Sequence, residues 1–478
     1  MAETARVKGV PVPPAPLGAA KGALLLRGVR LLDPARRLDQ VGDLLMVEGR
    51  IAACGQVDPA AVPPGCAVVE GHGLAAAPGF TDLHCHLREP GQEDKETIAT
   101  GTRAAARGGF TTVCAMPNTI PPVDNAAVVE FVLRKAALEG VVRLLPVGCV
   151  SKRREGRELA ELGDMVGAGA VAFSDDGSPV ADAGLMRLAL LYARAFGVPV
   201  INHCEEPALS RGGVMHEGWV ATRLGLRGIP AAAEESMVAR DIALAEATGG
   251  HVHIAHVSTA RAVELVREAK ARGVRVTAEA TPHHLTLTDE WAAGFRDGGP
   301  AYRPLTPQAY DTFTKVYPPL RSRHDVEAVV AGLADGTLDC VATDHAPHEW
   351  TTKAVTYDDA SNGISVLETA FGSLMALVRG GRLTLLELVE RLTVGPWRVL
   401  AGGEVGEVPP LATLAPGTPA DVVLFDPDAE WVVEPERFAS KGRNTPLGGV
   451  TLRGRVMATL VEGRTVYTDE RVGLPTAQ

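Results

Sequence analysis

The stretch "PGFTDLHCHLREPG", Pro78 to Gly91, runs from apolar, strand-forming residues into His84, His86 and, two places further on, Arg88. Side chains on a strand alternate faces, so His84 and His86 point the same way and Arg88 would share their face. An HxH pair in isolation is more often two satisfied, partly buried histidines than a functional pair. The rest of the chain decides between the two readings.

Working outward, this run is the first of eight that share a style. "GFTDLH", "FTTVCAMPN", "VRLLPVGCV", "GAVAFSDDG", "VPVINHCE", "HVHIAHVS", "RVTAEATPHH" and "LDCVATDH" read as strands. Amphipathic helical patterns separate them, among them "AAVVEFVLRKAALEG", "LMRLALLYARAFG", "SMVARDIALAEATGG" and "ARAVELVREAKARG". Strands alternating with such helices predict βα units around a parallel sheet. Eight units over roughly 320 residues fit an α/β fold of the (β/α)8, TIM-like barrel type with insertions. No GxGxxG turn follows the first strand, which weakens the competing open dinucleotide-binding sheet.

The ends of these strands carry the chemistry. The first ends at His84 and His86, the fourth at Asp175-Asp176, the fifth at His203, the sixth at His256 and the eighth at Asp344. Barrel active sites lie at the C-terminal ends of strands. Any one of these residues alone reads as a satisfied core or loop group, but together they supply nitrogen and carboxylate ligands to one mouth. Four histidines and two aspartates exceed one tetrahedral zinc and suit two ions about 3.5–4 Å apart. His253 is odd-spaced from His256, so the two point oppositely unless the strand end bulges, and His253 reads as structural. His283-His284 read either as partners of the ligands or as the polar end of strand seven. His72 and His216 read as loop residues and His324 as a helix-start residue.

The ends of the chain differ from its middle. "ALLLRGVRLLDPARRLDQVGDLLMVEGRIAACG" and "ADVVLFDPDAEWVV" with "GVTLRGRVMATLVEGRTVY" read as short strands with turns at "DP", "EG" and "RG". The expected organisation is a disordered Pro- and Ala-rich tail over 1–21, a β-sandwich from 22–78 and 405–470, and the barrel over 79–404. The 478 residues are 46% hydrophobic with a net charge of −11, which describes a globular core and argues against nucleic acid as a partner. Seven cysteines include no CxxC pair, and no apolar run is long enough to span a bilayer. The expectation is a cytoplasmic protein without disulfides or membrane association.

With these motifs in place, "HCHLREPG", "MPNT", "GAVAFSDDGSPV", "INHCEE", "HIAHVSTARAVELVREAK", "TAEATPHHL", "PPLRS", "ATDHAPH" and "SKGRNTP" together resemble the bacterial dihydroorotases. These belong to the amidohydrolase superfamily of metal-dependent barrels. The likeness runs from about residue 22 to 467. It implies two zinc ions per chain, one on His84 and His86 and the other on His203 and His256. Asp344 would contact a metal and shuttle the proton. Strand four has no lysine to carboxylate as a bridge, and the branch resembled uses an aspartate there, implying Asp176 rather than Asp175. Arg88, Asn118 and His348 would hold the substrate carboxylate, for which a forked guanidinium is a bidentate match.

The implied reaction is reversible cyclisation of N-carbamoyl-L-aspartate to dihydroorotate in pyrimidine synthesis. The implied partners are that small molecule, a second copy of the chain, and aspartate carbamoyltransferase. Three loops depart from the family pattern: Tyr317 stands where an asparagine precedes the prolines, a segment around 296–308 is inserted before it, and "ASNGI" at Ala360 to Ile364 replaces "APFGI". If the inserted segment shifts the backbone, the Tyr317 hydroxyl is expected to return to reach of the substrate. A hydantoinase- or allantoinase-like cyclic amidase would carry the strand-four lysine that is missing here. A non-catalytic partner protein would have lost ligands, and all six are present.

Overall fold

Runs such as Phe110–Ala115 and Arg143–Gly148 are buried along their whole length, as strands covered on both faces must be. The computed structural model describes residues 5–7, 10–296, 303–402 and 409–474. In it β1 (Phe80–Cys85), β2 (Phe110–Ala115), β3 (Arg143–Gly148), β4 (Ala172–Phe173), β5 (Val200–Asn202), β6 (Val252–Ile254), β7 (Val276–Ala280) and β8 (Cys340–Val341) form one parallel sheet in chain order. A bridge between Cys85 and His345 returns the end of β8 to β1, so the sheet curls into a nearly closed barrel. A helix packed around the barrel follows each strand, with shorter helices in some of the connections: α1 (Ile98–Arg107), α2 (Ala126–Glu139), α3 (Leu162–Ala168), α4 (Ala183–Arg194), α5 (Ala232–Thr248), α6 (Ala260–Ala271), α7 (Arg323–Ala334) and α8 (Ala370–Arg379).

Local chemistry sets these helices. Asn125, Asp182, Thr259 and Ser322 sit at N-caps, and each side chain accepts from a backbone N–H of the first turn. Helix α4 buries Leu185, Met186, Ala189, Leu190 and Ala193, an i, i+4, i+8 stripe that faces the sheet. Inside the barrel, away from the mouth, Leu83, Leu145, Val147, Val171 and Ile201 pack with Trp397, whose Nε1–H donates to Thr81 Oγ1 at 3.0 Å.

The chain ends build a second, mixed sheet. Ala75–Pro78 pairs in parallel with Ala23–Asp33 and antiparallel with Val422–Val432, then continues through Gly79 into β1. A Cβ at Gly79 would lie 2.2 Å from the Thr111 side chain, so only glycine lets the chain pass from sheet to barrel this closely. Arg143 of β3 is 2% exposed and pairs with Asp421 and Glu462, locking barrel and sheet together.

Two expectations change. Strand seven does not extend into "TPHH": β7 stops at Ala280, and Thr281 caps a short helix, Pro282–Thr286, whose Pro at the first position suits a helix start. Part of the expected disordered tail is placed, because Val12 joins the apolar cluster with Leu83 and Trp397, and Ala15 is also buried. Residues 1–4 and 8–9 of that tail, the 404/405 boundary, and 297–302 of the inserted segment lie outside the described residues. The seven cysteines are unpaired. Among the described residues, no helix is long and apolar enough to cross a membrane.

Candidate metal centre

The structure brings His84, His86, Asp176, His203, His256 and Asp344 together, all buried, at the C-terminal mouth of the barrel. Asp176 stands between two histidine pairs. Its Oδ2 is 3.3 Å from His84 Nε2 and 3.4 Å from His86 Nε2. Its Oδ1 is 3.5 Å from both His203 Nδ1 and His256 Nε2. Asp344 Oδ1 lies 3.0 Å from His86 Nε2 and 3.5 Å from His84 Nε2. The neighbouring Asp175 turns away from the histidines, and its carboxylate accepts from the N–H groups of Val150 and Ser151 and from the Ser151 hydroxyl.

Alternation along a strand is not what aligns these groups. The pairing of β1 with β2 is irregular between Asp82 and Cys85, and β1 ends at Cys85, before His86 and Arg88. The His86 N–H donates to His345 O at 2.9 Å, and Arg88 has φ 64°, so a turn delivers its side chain to the mouth. His256, beyond the end of β6, has φ 35°, which turns its ring back toward Asp176 despite its odd spacing from His253.

Burial opposes charge throughout the cluster. It is outweighed on His84, whose pKa Asp176 and Asp344 hold well above the ordinary value, and on His203, raised to about 9 by Asp176 and Glu205. Despite burial, His84, His203 and His256 pull Asp176 below the carboxylate range, and His84, His86 and His256 do the same to Asp344. His84 Nε2 and Asp176 Oδ1 are buried with no hydrogen-bond partner among the described residues. Leaving such groups unsatisfied is costly, and a cation between them removes the cost. Imidazole nitrogen with carboxylate oxygen is a donor set of the zinc class, and the residues present fit a metal.

The far ring nitrogens are held as well. His84 Nδ1–H donates to Glu279 Oε1 at 2.9 Å, and Glu279 Oε2 accepts from His253 Nε2 at 3.1 Å. Thr277 Oγ1 joins His253 Nδ1 to His251 Nε2 at 2.9 and 2.7 Å. Burial works against ionising Glu279, but the two histidines bring its pKa down to about 2. His86 Nδ1–H donates to Asn118 Oδ1 at 2.9 Å, and His203 Nε2 is 3.4 Å from Glu205 Oε2. Such contacts orient metal-binding imidazoles. Neither Glu279 nor Glu205 stands out from the sequence patterns, although a lone acid within the apolar strand "VTAEA" is a signal that could have found Glu279.

Above the cluster opens a cavity of about 210 Å³. Arg88 and His348 line it together, with Arg88 Nη2 3.5 Å from His348 Nε2, which itself donates to Asn362 O at 2.8 Å. Burial, with Arg88 alongside, brings the His348 pKa down to about 2. Asn118 lines the same cavity, but its Oδ1 is committed to His86. Tyr317 neither leaves the mouth nor aims its hydroxyl at the cavity centre. Its ring stacks on His203, with centroids 5.5 Å apart, and its hydroxyl donates to Glu205. Arg154 also lines the cavity and was not singled out in the sequence, whereas Asn362 and Gly363, which line it too, belong to the departing "ASNGI" loop.

A family model described as dihydro-orotase-like matches residues 73–262. A dihydroorotase of Pelotomaculum thermopropionicum is 54% identical, the match covering 93% of this chain and 99% of that one. One of Syntrophus aciditrophicus is 49% identical, covering 94% and 100%. Among solved structures, an L-hydantoinase from Arthrobacter aurescens superposes with a TM-score of 0.80 at 24% identity, covering 94% and 97%. At that identity the likeness concerns the fold.

Proposed function

The chain belongs to the dihydroorotase family, with about half its residues identical to curated members over more than nine-tenths of its length, and from that premise we propose how its residues perform the reaction. The protein is a cyclic amide hydrolase that interconverts dihydroorotate and N-carbamoyl-L-aspartate. One observation carries the residue assignment: a buried carboxylate, Asp176, stands between two histidine pairs beneath a cavity that Arg88 enters.

In this reading His84 and His86 would hold one zinc ion and His203 and His256 a second, with Asp176, set between the two pairs, and Asp344 as the carboxylates that would complete the site. When bound, such ions lower the pKa of a water toward neutrality and polarise the scissile carbonyl. Arg88, with His348 and Asn118 beside it, anchors the substrate carboxylate and so places the ring amide over the cluster. Asp344 Oδ1 faces His84 and His86, and the same carboxylate takes the proton from the attacking water and passes it to the leaving ring nitrogen. Glu279 keeps His84 in the tautomer whose Nε2 is a lone-pair donor.

The test is hydrolysis of dihydroorotate, followed by its ultraviolet absorbance, alongside metal analysis of the purified protein. Turnover with about two zinc ions per chain is expected. Turnover on hydantoin but not dihydroorotate would overturn the assignment. A hydantoinase reading has the fold likeness in its favour, yet β4 leads to Asp176 and offers no lysine.

A further inference from the structure

One motif of the sequence, "SKGRNTP" at Ser440 to Pro446, carries no group that the reaction uses. It connects the strands Val422–Val432 and Thr451–Val461 of the chain-end sheet. Its Asn444 is nevertheless 2% exposed and reaches the barrel mouth. The amide Oδ1 accepts from the His348 N–H at 3.0 Å and from the Ser365 hydroxyl at 2.9 Å. Nδ2 donates to Ala346 O at 3.0 Å and to Gly363 O at 2.9 Å. Two donors and two acceptors around one tip suit a primary amide, since a hydroxyl brings one donor and a carboxylate none.

Three of those four groups belong to residues that line the substrate cavity, Ala346, His348 and Gly363. They come from two loops, the one that follows β8 and the one through Asn362, and Asn444 is tied to both. The loops are in close contact: a Cβ on Gly363 would lie 2.7 Å from Ala346 O and 3.0 Å from His348 Cδ2. On its cavity side the same wall presents the anion anchors. His348 Nε2–H donates to Asn362 O at 2.8 Å, and Arg88 Nε donates to Pro347 O at 3.4 Å. Behind Pro347 stands Gly442 of the motif, where a Cβ would lie 2.3 Å from Pro347 Cβ. One buried segment from the far end of the chain thus backs the backbone that seats both Arg88 and His348.

We propose that Asn444 is a positioning residue for substrate binding: by holding Ala346, His348 and Gly363 it fixes the wall that carries Arg88 and His348, and with it the seat of the substrate carboxylate. None of its side-chain partners is a metal ligand. The metal side of the mouth is backed separately by Ser440, whose hydroxyl donates to Glu96 and lies 3.3 Å from His345 Nε2, next to Asp344. Loss of the Asn444 amide therefore spares the metal and loosens the anion seat. The assignment rests on the dihydroorotase reading, in which the substrate is an anion.

The experiment measures kcat and KM for dihydroorotate hydrolysis, with bound zinc, in wild type, Asn444→Ala, Gly442→Ala, Arg88→Met and the Asn444→Ala/Arg88→Met double variant. Asn444→Ala should raise KM about tenfold or more and move kcat less than about threefold, with zinc unchanged. Gly442→Ala removes no hydrogen bond but presses on Pro347, and it should raise KM in the same way. Because Asn444 acts through the wall that seats Arg88, its loss should cost less than about threefold in kcat/KM once Arg88 is gone. A residue that serves stability alone would give two losses that multiply. An unchanged KM in zinc-loaded Asn444→Ala overturns the proposal, and so do losses that multiply in the double variant. Should Asn444→Ala fail to fold, Gly442→Ala decides, a raised KM supporting the proposal and an unchanged one overturning it. Loss of zinc in both variants overturns it too, and would make the segment a brace for the metal centre. A wild type that hydrolyses no dihydroorotate overturns the reaction reading itself, whereas an active wild type with unchanged KM in the variants overturns this assignment alone.

Discussion

Asp175 and Asp176 are adjacent and both buried, yet one serves backbone N–H groups and the other faces four imidazoles. Asp176→Ala should therefore release metal and abolish turnover. Asp175→Ala should keep its metal and lose about 1–3 kcal/mol of stability, the cost of orphaned buried donors. Metal analysis and urea unfolding of the pair decide it, and full metal content in Asp176→Ala would reverse the assignment. At Arg88 the expected loss is larger. Arg88→Met removes the partner of a desolvated carboxylate, and about 2–5 kcal/mol of transition-state binding should go with it, read as kcat/KM for dihydroorotate. An uncharged cyclic amide should suffer less, and equal losses would assign Arg88 to the scaffold. Tyr317 stacks on His203 and shares Glu205 with it, so Tyr317→Asn should lower kcat/KM for dihydroorotate. A gain of about tenfold would mean that the smaller amide suits the substrate better and that the stacking contributes nothing.

Within elements, the polar interior of β6 and β7 couples stability to pH. His251 on the approach to β6 is driven by burial to a pKa of about 3, and His284, on the short helix after β7, likewise to about 3. Both stay neutral in the fold, whereas the unfolded chain takes up their protons below the ordinary value of about 6.5. Between those limits the unfolded state binds more protons, so stability rises with pH up to about 6.5 and is lost as pH falls from there toward 3. Each histidine contributes a slope of at most about 1.4 kcal/mol per pH unit. His251→Asn should flatten the curve by up to that amount. Urea unfolding of wild type and variant at pH 7, 6 and 5 measures it, and parallel curves would show that His251 is protonated in the fold.

Across the whole molecule, Arg143 ties barrel strand β3 to Asp421 and Glu462 of the chain-end sheet. Arg143→Ala leaves a buried Asp421 without its counter-charge, and a loss of about 3–5 kcal/mol is expected in denaturant unfolding. A loss under about 1 kcal/mol would mean that sheet and barrel hold together by apolar packing alone. The positions that meet across such distances divide what was legible in the chain from what was not. The alternation of apolar runs with helical patterns, and the stopping of five runs in His or Asp, are local patterns, so the barrel and the residues at its mouth could be read directly. The tertiary structure decided the rest. It set the irregular pairing at Asp82–Cys85, the left-handed turns at Arg88, Arg154 and His256, and the meeting of His84 with Glu279 and of Tyr317 with Glu205. Periodicity says which way a residue faces only while the strand lasts. Beyond its end, direction is set by backbone turns and by partners far along the chain, as in the His86–Asp344 pair, 258 residues apart.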